Sequence, residues 1–109
     1  MVDIIAIVAI VERGKADYVV NRAKKAGAQG ATILYGRGTG ESEVKKFLNI
    51  HIESSKEVII ILTEKEKFDP IYKEMIEAGR LKEPGTGVIF SLPISNLVGL
   101  HHREYFNGK

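Results

Sequence analysis

Glycine clusters in two short segments of this sequence, and glycine-rich segments can bind anions through backbone amides. The first segment reads Gly36-Arg37-Gly38-Thr39-Gly40 and the second reads Pro84-Gly85-Thr86-Gly87. Because glycine has no Cβ, the backbone can approach a phosphate closely and adopt positive φ, which turns neighbouring N–H groups toward one anion. The same residues also form plain tight turns, so the pattern alone favours neither interpretation.

Neither segment matches the two best-known phosphate motifs. No Gly-Lys-Ser or Gly-Lys-Thr follows either glycine run, so a Walker A loop is excluded. The residues after Gly40 are polar and do not open a periodic helix, so the dinucleotide fingerprint is excluded as well. If these segments bind a ligand, they bind it through neither a Walker A loop nor a dinucleotide-binding turn.

Histidine and acidic residues offer weaker candidates for chemistry. His51 and Glu53 alternate on a short predicted strand and would face the same side, as an acid/base pair would need, and His101 precedes His102 near the C-terminus. No third metal ligand and no nucleophile beside a base is recognisable. The sequence therefore predicts no metal site and no catalytic centre. A small oligomeric enzyme that uses His51, Glu53 or His101 remains the alternative.

Hydrophobic periodicity predicts the elements that position these residues. We expect strands at 4–11, 31–35, 58–63 and 87–92, and amphipathic helices at 15–26 and 67–78. The order is β-α-β, a loop, and β-α-β. This order predicts an α+β fold of the ferredoxin-like split βαβ kind (βαββαβ), a four-stranded antiparallel sheet with two helices on one face.

The strands at 4–11 and 58–63 are apolar on both alternating faces, although two helices cover only one face of such a sheet. The other face would expose an apolar patch larger than the roughly 300–600 Å² that monomers tolerate. Another copy of the chain, another protein and the C-terminal segment are the candidates to cover it, and we expect another copy. A purely structural oligomer, whose glycines only form turns, is a further alternative.

Length and composition predict one domain. The chain has 109 residues, of which 44% are hydrophobic and 28% charged, with a net charge of +2. We expect a single domain over 1–109, with its core at about 3–92 and a C-terminal extension at 93–109. Without cysteine, disulfides and Cys-based zinc sites are excluded. We expect a cytoplasmic protein with no nucleic-acid partner and no direct membrane insertion.

Two stretches carry a family resemblance, Gly30-Ala31-Thr32 through Gly38-Thr39-Gly40 and Glu83-Pro84-Gly85-Thr86-Gly87-Val88-Ile89-Phe90. With these motifs, the chain resembles the nitrogen regulatory PII signal-protein family over nearly its whole length. The resemblance implies a homotrimer with inward-facing sheets and an adenine nucleotide (ATP, ADP or AMP) in clefts between subunits. It also implies that the loop after Gly40 regulates a partner, a transporter or metabolic enzyme, with no catalysis and no resident cofactor.

The resemblance also assigns residues. Nucleotide-binding positions are Thr32, Gly38, Thr39, Gly40, Gly85, Thr86, Gly87 and Val88; candidate phosphate contacts are Arg37, Arg80, Lys82, His101 and Arg103; the partner loop contains Glu41, Lys45, Lys46 and Phe47. The chain departs from the family pattern in three respects. Glu41-Ser42 replaces an Arg-Gln pair that follows the first glycine turn, Val88 replaces a basic residue, and the shortened loop contains no tyrosine. The first two departures remove donors near the expected phosphates.

Overall fold

A computed structural model describes residues 3–39 and 53–99 of the chain. Its elements are β1 (Ile4–Glu12), α1 (Ala16–Lys25), β2 (Thr32–Thr39), β3 (Glu53–Glu64), α2 (Lys65–Gly79) and β4 (Gly87–Pro93). Several predicted site residues lie outside the described residues, namely Gly40, Glu41, Lys45, Lys46, Phe47, His51, His101, His102 and Arg103. In the described ranges, no helix is long and apolar enough to cross a membrane.

The four strands form one sheet in the order β2-β3-β1-β4, and every neighbouring pair is antiparallel. The two helices pack against each other on one face of this sheet. The predicted split βαβ architecture is therefore confirmed. In this order the two central strands are β1 and β3, the pair whose sequences are apolar on both faces.

The core lies between the helices and one face of the sheet. Alternate residues of the central strands point toward the helices, because successive side chains on a strand face opposite sides. The fully buried members are Ile7, Ala9 and Val11 of β1, Ile59 and Ile61 of β3, Ala16, Val19 and Ala23 of α1, and Ile71 and Met75 of α2. At 10 and 15 residues the helices are short, so this packing supplies most of their stability.

The sheet face opposite the helices, called the open face below, is also apolar. The register places on it Ile4, Ala6, Val8 and Ile10 of β1, Val58, Ile60 and Leu62 of β3, Leu34 of β2, and Val88, Phe90 and Leu92 of β4. The outer strands carry its most exposed side chains, with Leu34 at 47% and Val88 at 50% exposure. Within one chain, the side chains of its outer strands remain exposed, whereas Ile4 and Ala6 of β1 are 7% and 5% exposed.

The β2–β3 hairpin differs from the prediction. The first glycine segment was expected to form a turn after residue 35, but β2 continues through Gly36 and Gly38 to Thr39. The start of β3 at Glu53 lies five residues before the predicted strand, and the two strands stay paired out to Thr39 and Glu53. Backbone pairing with β3 keeps these glycines extended, since a ladder needs no side chain. We call the part beyond the end of β1, residues 37–39 and 53–55, the hairpin arm.

Candidate functional site

Both glycine-rich segments lie at the end of the sheet where β1 finishes. Val11 of β1 pairs with Gly87 on one side and Glu57 on the other, and the next row joins Glu12 to Lys56 and Lys56 to Gly36. Gly36 and Gly87 lie on the two outer strands, β2 and β4, which are three strand spacings or about 14 Å apart. The fold thus places them at one end of the sheet without bringing them into contact, and β1 and β3 side chains lie between them.

The second segment is a turn that requires glycine. Gly85 and Gly87 have φ values of 80° and 147°, in the region that side chains disfavour. A Cβ on Gly87 would lie 2.3 Å from the carbonyl oxygen of Ile10. The Thr86 hydroxyl lies 2.8 Å from the carbonyl oxygen of Arg80 and 2.9 Å from that of Glu83, so its proton is used within the turn.

The first segment does not form the predicted anion-binding turn in its described part. Neither Gly36 nor Gly38 has positive φ. A Cβ on Gly38 would instead meet the Lys56 side chain, at 3.4 Å from its Cγ and 3.5 Å from its Cε. The small size of Gly38 therefore leaves the lysine stem lying alongside the β2 backbone.

Lys56 ends in an ion pair with Glu12. Its Nζ lies 2.8 Å from Oε1 of Glu12, and the side chains are 19% and 38% exposed. Alternation along β3 places Lys56 on the open face, in phase with Val58 and Ile60. Sequence reasoning missed this residue, although a lysine in phase with an apolar strand face was a readable signal.

A cavity of about 460 Å³ opens at the same end, between the arm and the loop that follows β1. Its lining residues are Arg13, Gly14, Tyr35, Gly36, Arg37, Ser55, Lys56 and Glu57. The volume falls within the range of about 300–1,000 Å³ that small-molecule sites occupy. Three lining residues, Arg13, Arg37 and Lys56, are basic and one, Glu57, is acidic, so the lining has a net positive charge; the Lys56 ammonium is also paired with Glu12.

The carboxylate in this lining, Glu57, is committed to the start of α1. It is buried, and its Oε1 accepts hydrogen bonds from the backbone N–H groups of Gly14 (2.8 Å) and Ala16 (2.9 Å). Lys15 at the N-cap position forms no side-chain cap. Glu57 supplies that cap from β3, and its negative charge faces the positive end of the helix dipole.

Other predicted contacts lie elsewhere. Arg80, in a left-handed conformation after α2, donates hydrogen bonds from Nε (2.7 Å) and Nη2 (2.9 Å) to Glu83. These hydrogen bonds raise the pKa of the Arg80 guanidinium, so its charge already has a partner. Arg80 and Lys82 border a second cavity beside the end of α2. Thr32 pairs with Ile60, four residues along β2 from Gly36 and hence about 13 Å away.

Metal binding finds no support in the described part of the chain. No group of three or more His, Cys, Asp or Glu side chains comes together there in a way that could hold an ion. Glu53 begins β3, and its predicted companion His51 lies outside the described residues. The alternative of an acid/base pair formed by His51 and Glu53 therefore stays a hypothesis.

Comparison with known proteins agrees with this architecture. A crystal structure of Arabidopsis thaliana PII bound to citrate matches with a TM-score of 0.68 and 25% sequence identity, covering 93% of this chain and 86% of that one. Comparison with curated proteins found no match. The family model of the nitrogen regulatory protein P-II matches residues 4–104. The chain therefore belongs to the P-II nitrogen regulatory protein family.

Proposed function

We propose that this chain is a signal-transduction regulator that binds a small anionic effector, with adenine nucleotides (ATP, ADP or AMP) as first candidates. The observation that carries the proposal is the cationic cavity at the end of the sheet where both glycine-rich segments lie. Family membership supports a regulatory role, in nitrogen or related metabolism, and no enzymatic activity. Binding would alter affinity for a partner protein, a transporter or metabolic enzyme, in the cytoplasm.

Assembly as a homotrimer would complete the site. The apolar open face needs a cover, because burying apolar surface contributes about 25 cal/mol per Å². In the described sheet, the outer edges of β2 and β4 also pair with no further strand. A neighbouring copy that covers this face would enclose the glycine-rich end in a cleft between subunits.

The described cations suggest how the cleft would hold an anion. Arg13, Arg37 and Lys56 would contact carboxylate or phosphate oxygens, and the turn at Gly87 would supply backbone amides. Further contacts that stay predictions are Thr32, Gly38, Thr39, Gly40, Gly85, Thr86, Val88, Lys82, His101 and Arg103. Arg80 would contribute only after leaving Glu83.

The loop that follows the arm would report occupancy to the partner. Arg37 and Ser55 of the arm line the cavity, and along the chain the arm is followed by Glu41, Lys45, Lys46 and Phe47, the residues predicted to contact that partner. An effector that binds one arrangement of this loop more tightly shifts the population toward that arrangement. The resulting change in partner affinity is limited by the difference between the two binding free energies.

Calorimetric titration with ATP, ADP, AMP, citrate and 2-oxoglutarate, alongside native mass spectrometry, tests the proposal. Citrate is included because the similar Arabidopsis protein was crystallised with it. We expect a trimer that binds at least one nucleotide, and a Lys56→Met variant that binds it about tenfold more weakly, as loss of one charge-assisted hydrogen bond predicts. Lys15→Met is the matched control, since Lys15 is exposed nearby but does not line the cavity.

Two results would contradict the proposal. A folded trimer that binds none of the five compounds would leave the cavity without an effector. Equal losses in Lys56→Met and Lys15→Met would show that general positive charge, rather than the cavity, attracts the ligand.

A further inference from the structure

Glu12 is an unexpected neighbour for an anion site. It is the last residue of β1, it shares the open face with Lys56, and its carboxylate lies 2.8 Å from the Lys56 ammonium. Across the described strands, these two residues are the charged positions of the open face at the glycine-rich end; the far end carries Glu64. A carboxylate thus stands between the two glycine-rich segments, beside Lys56, a cation that lines the cavity.

We propose that Glu12 sets the charge selectivity of the effector site, favouring weakly charged anions over highly charged ones. The inference rests on the proposed function. An anion that contacts the Lys56 ammonium must approach within about 3 Å of it. The Glu12 oxygen already occupies one side of the same ammonium, so carboxylate and effector share one cation and repel each other.

The size of the effect follows from Coulomb's law. An effector atom on the opposite side of the ammonium lies about 6 Å from the Glu12 carboxylate. At that distance in water, repulsion by the carboxylate weakens effector binding about threefold for each negative charge on the effector. ATP carries about two more negative charges than AMP. Glu12 therefore reduces the ratio of ATP affinity to AMP affinity by about tenfold.

The test removes the charge and keeps the shape. In Glu12→Gln we expect the ratio of ATP affinity to AMP affinity to rise about tenfold at low salt, and the rise to shrink at high salt because exposed charges are screened. Glu66→Gln is the matched control. Glu66 lies in the first turn of α2, directly after the far end of β3, so its removal changes net charge equally and should leave the ratio unchanged.

The outcomes separate the two proposals. If ATP binds but the ratio of ATP affinity to AMP affinity is unchanged in Glu12→Gln, the selectivity inference is overturned while the proposed effector site stands. If neither the wild type nor Glu12→Gln binds a nucleotide, the nucleotide assignment is wrong. Phosphate, pyrophosphate and tripolyphosphate then replace AMP and ATP as probes of charge alone. Equal behaviour of wild type and variant across that second series also overturns the inference. Glu12→Thr, a good strand former, repeats both measurements should Glu12→Gln unfold.

Discussion

Removing the Glu57 carboxylate should cost this small fold more stability than removing any exposed charge. Glu57 is 7% exposed, and its Oε1 accepts both the Gly14 and Ala16 amides at the start of α1. In Glu57→Ala both amides lose a charged acceptor. Each such hydrogen bond contributes about 1.5–3 kcal/mol, and water will partly replace the one at Gly14, which is exposed. We expect a loss of about 3 kcal/mol in the free energy of unfolding.

Glu57→Gln separates charge from hydrogen bonding. The amide keeps one oxygen acceptor and removes the interaction with the helix dipole, so we expect a smaller loss of about 1 kcal/mol. Urea denaturation at one fixed protein concentration measures both, because stability of an assembled protein depends on concentration. With a slope of about 1.5 kcal/mol per molar urea, Glu57→Ala should lower the midpoint by about 2 M.

Glu77→Ala is the control for this pair, since its side chain is 77% exposed and lies 3.9 Å from its nearest cation, Arg22. It should change stability by less than about 0.5 kcal/mol. Amide hydrogen exchange gives a local readout, with faster exchange at Gly14 and Ala16 in both Glu57 variants. If Glu57→Ala matches the control in urea and leaves both amides protected, the remote cap does not hold α1.

Three further changes test other parts of the fold. Gly87→Ala places a Cβ 2.3 Å from a carbonyl oxygen at positive φ, so it should lower the free energy of unfolding by more than about 3 kcal/mol. Gly36 is extended with open space around it, so Gly36→Ala should lower the same quantity by less than about 1 kcal/mol in the same urea assay. Leu92→Asp on the open face should convert the proposed trimer to monomer in native mass spectrometry. Arg22→Met breaks the α1–α2 ion pair with Glu74 and should lower thermal stability by at most a few degrees.

The sequence was sufficient to predict the architecture, because the apolar periods of strands and helices are local signals. It also indicated that both faces of β1 and β3 would be apolar, and the register shows that open face directly. The hairpin arm was missed for a physical reason. Glycine has low intrinsic strand propensity, so Gly36 and Gly38 indicated a turn, whereas pairing with β3 holds them in a strand.

The site was only partly predictable, because its groups come together through tertiary contacts. A turn at residues 84–87 was predicted from local turn chemistry, and Gly85 and Gly87 do adopt positive φ there. Arg80 was selected for its charge, but its partner Glu83 is visible only in the folded turn. Lys56 and Glu12 are 44 positions apart, and only the β1–β3 register makes them neighbours.

That register also explains how an effector at this end of the sheet can influence the rest of the chain. Lys56 and Glu57 are adjacent on β3, so their side chains face opposite sides of the sheet, Lys56 toward Glu12 on the open face and Glu57 toward the start of α1. A shift of the β3 backbone at this point must alter the Lys56–Glu12 pair and the Glu57 cap together. Ser55 of the hairpin arm directly precedes Lys56 on β3. The same shift would therefore extend along the arm toward the residues that follow it in sequence. In the proposed function, effector binding would thus be joined to the position of α1 and of the hairpin arm through two consecutive residues of β3.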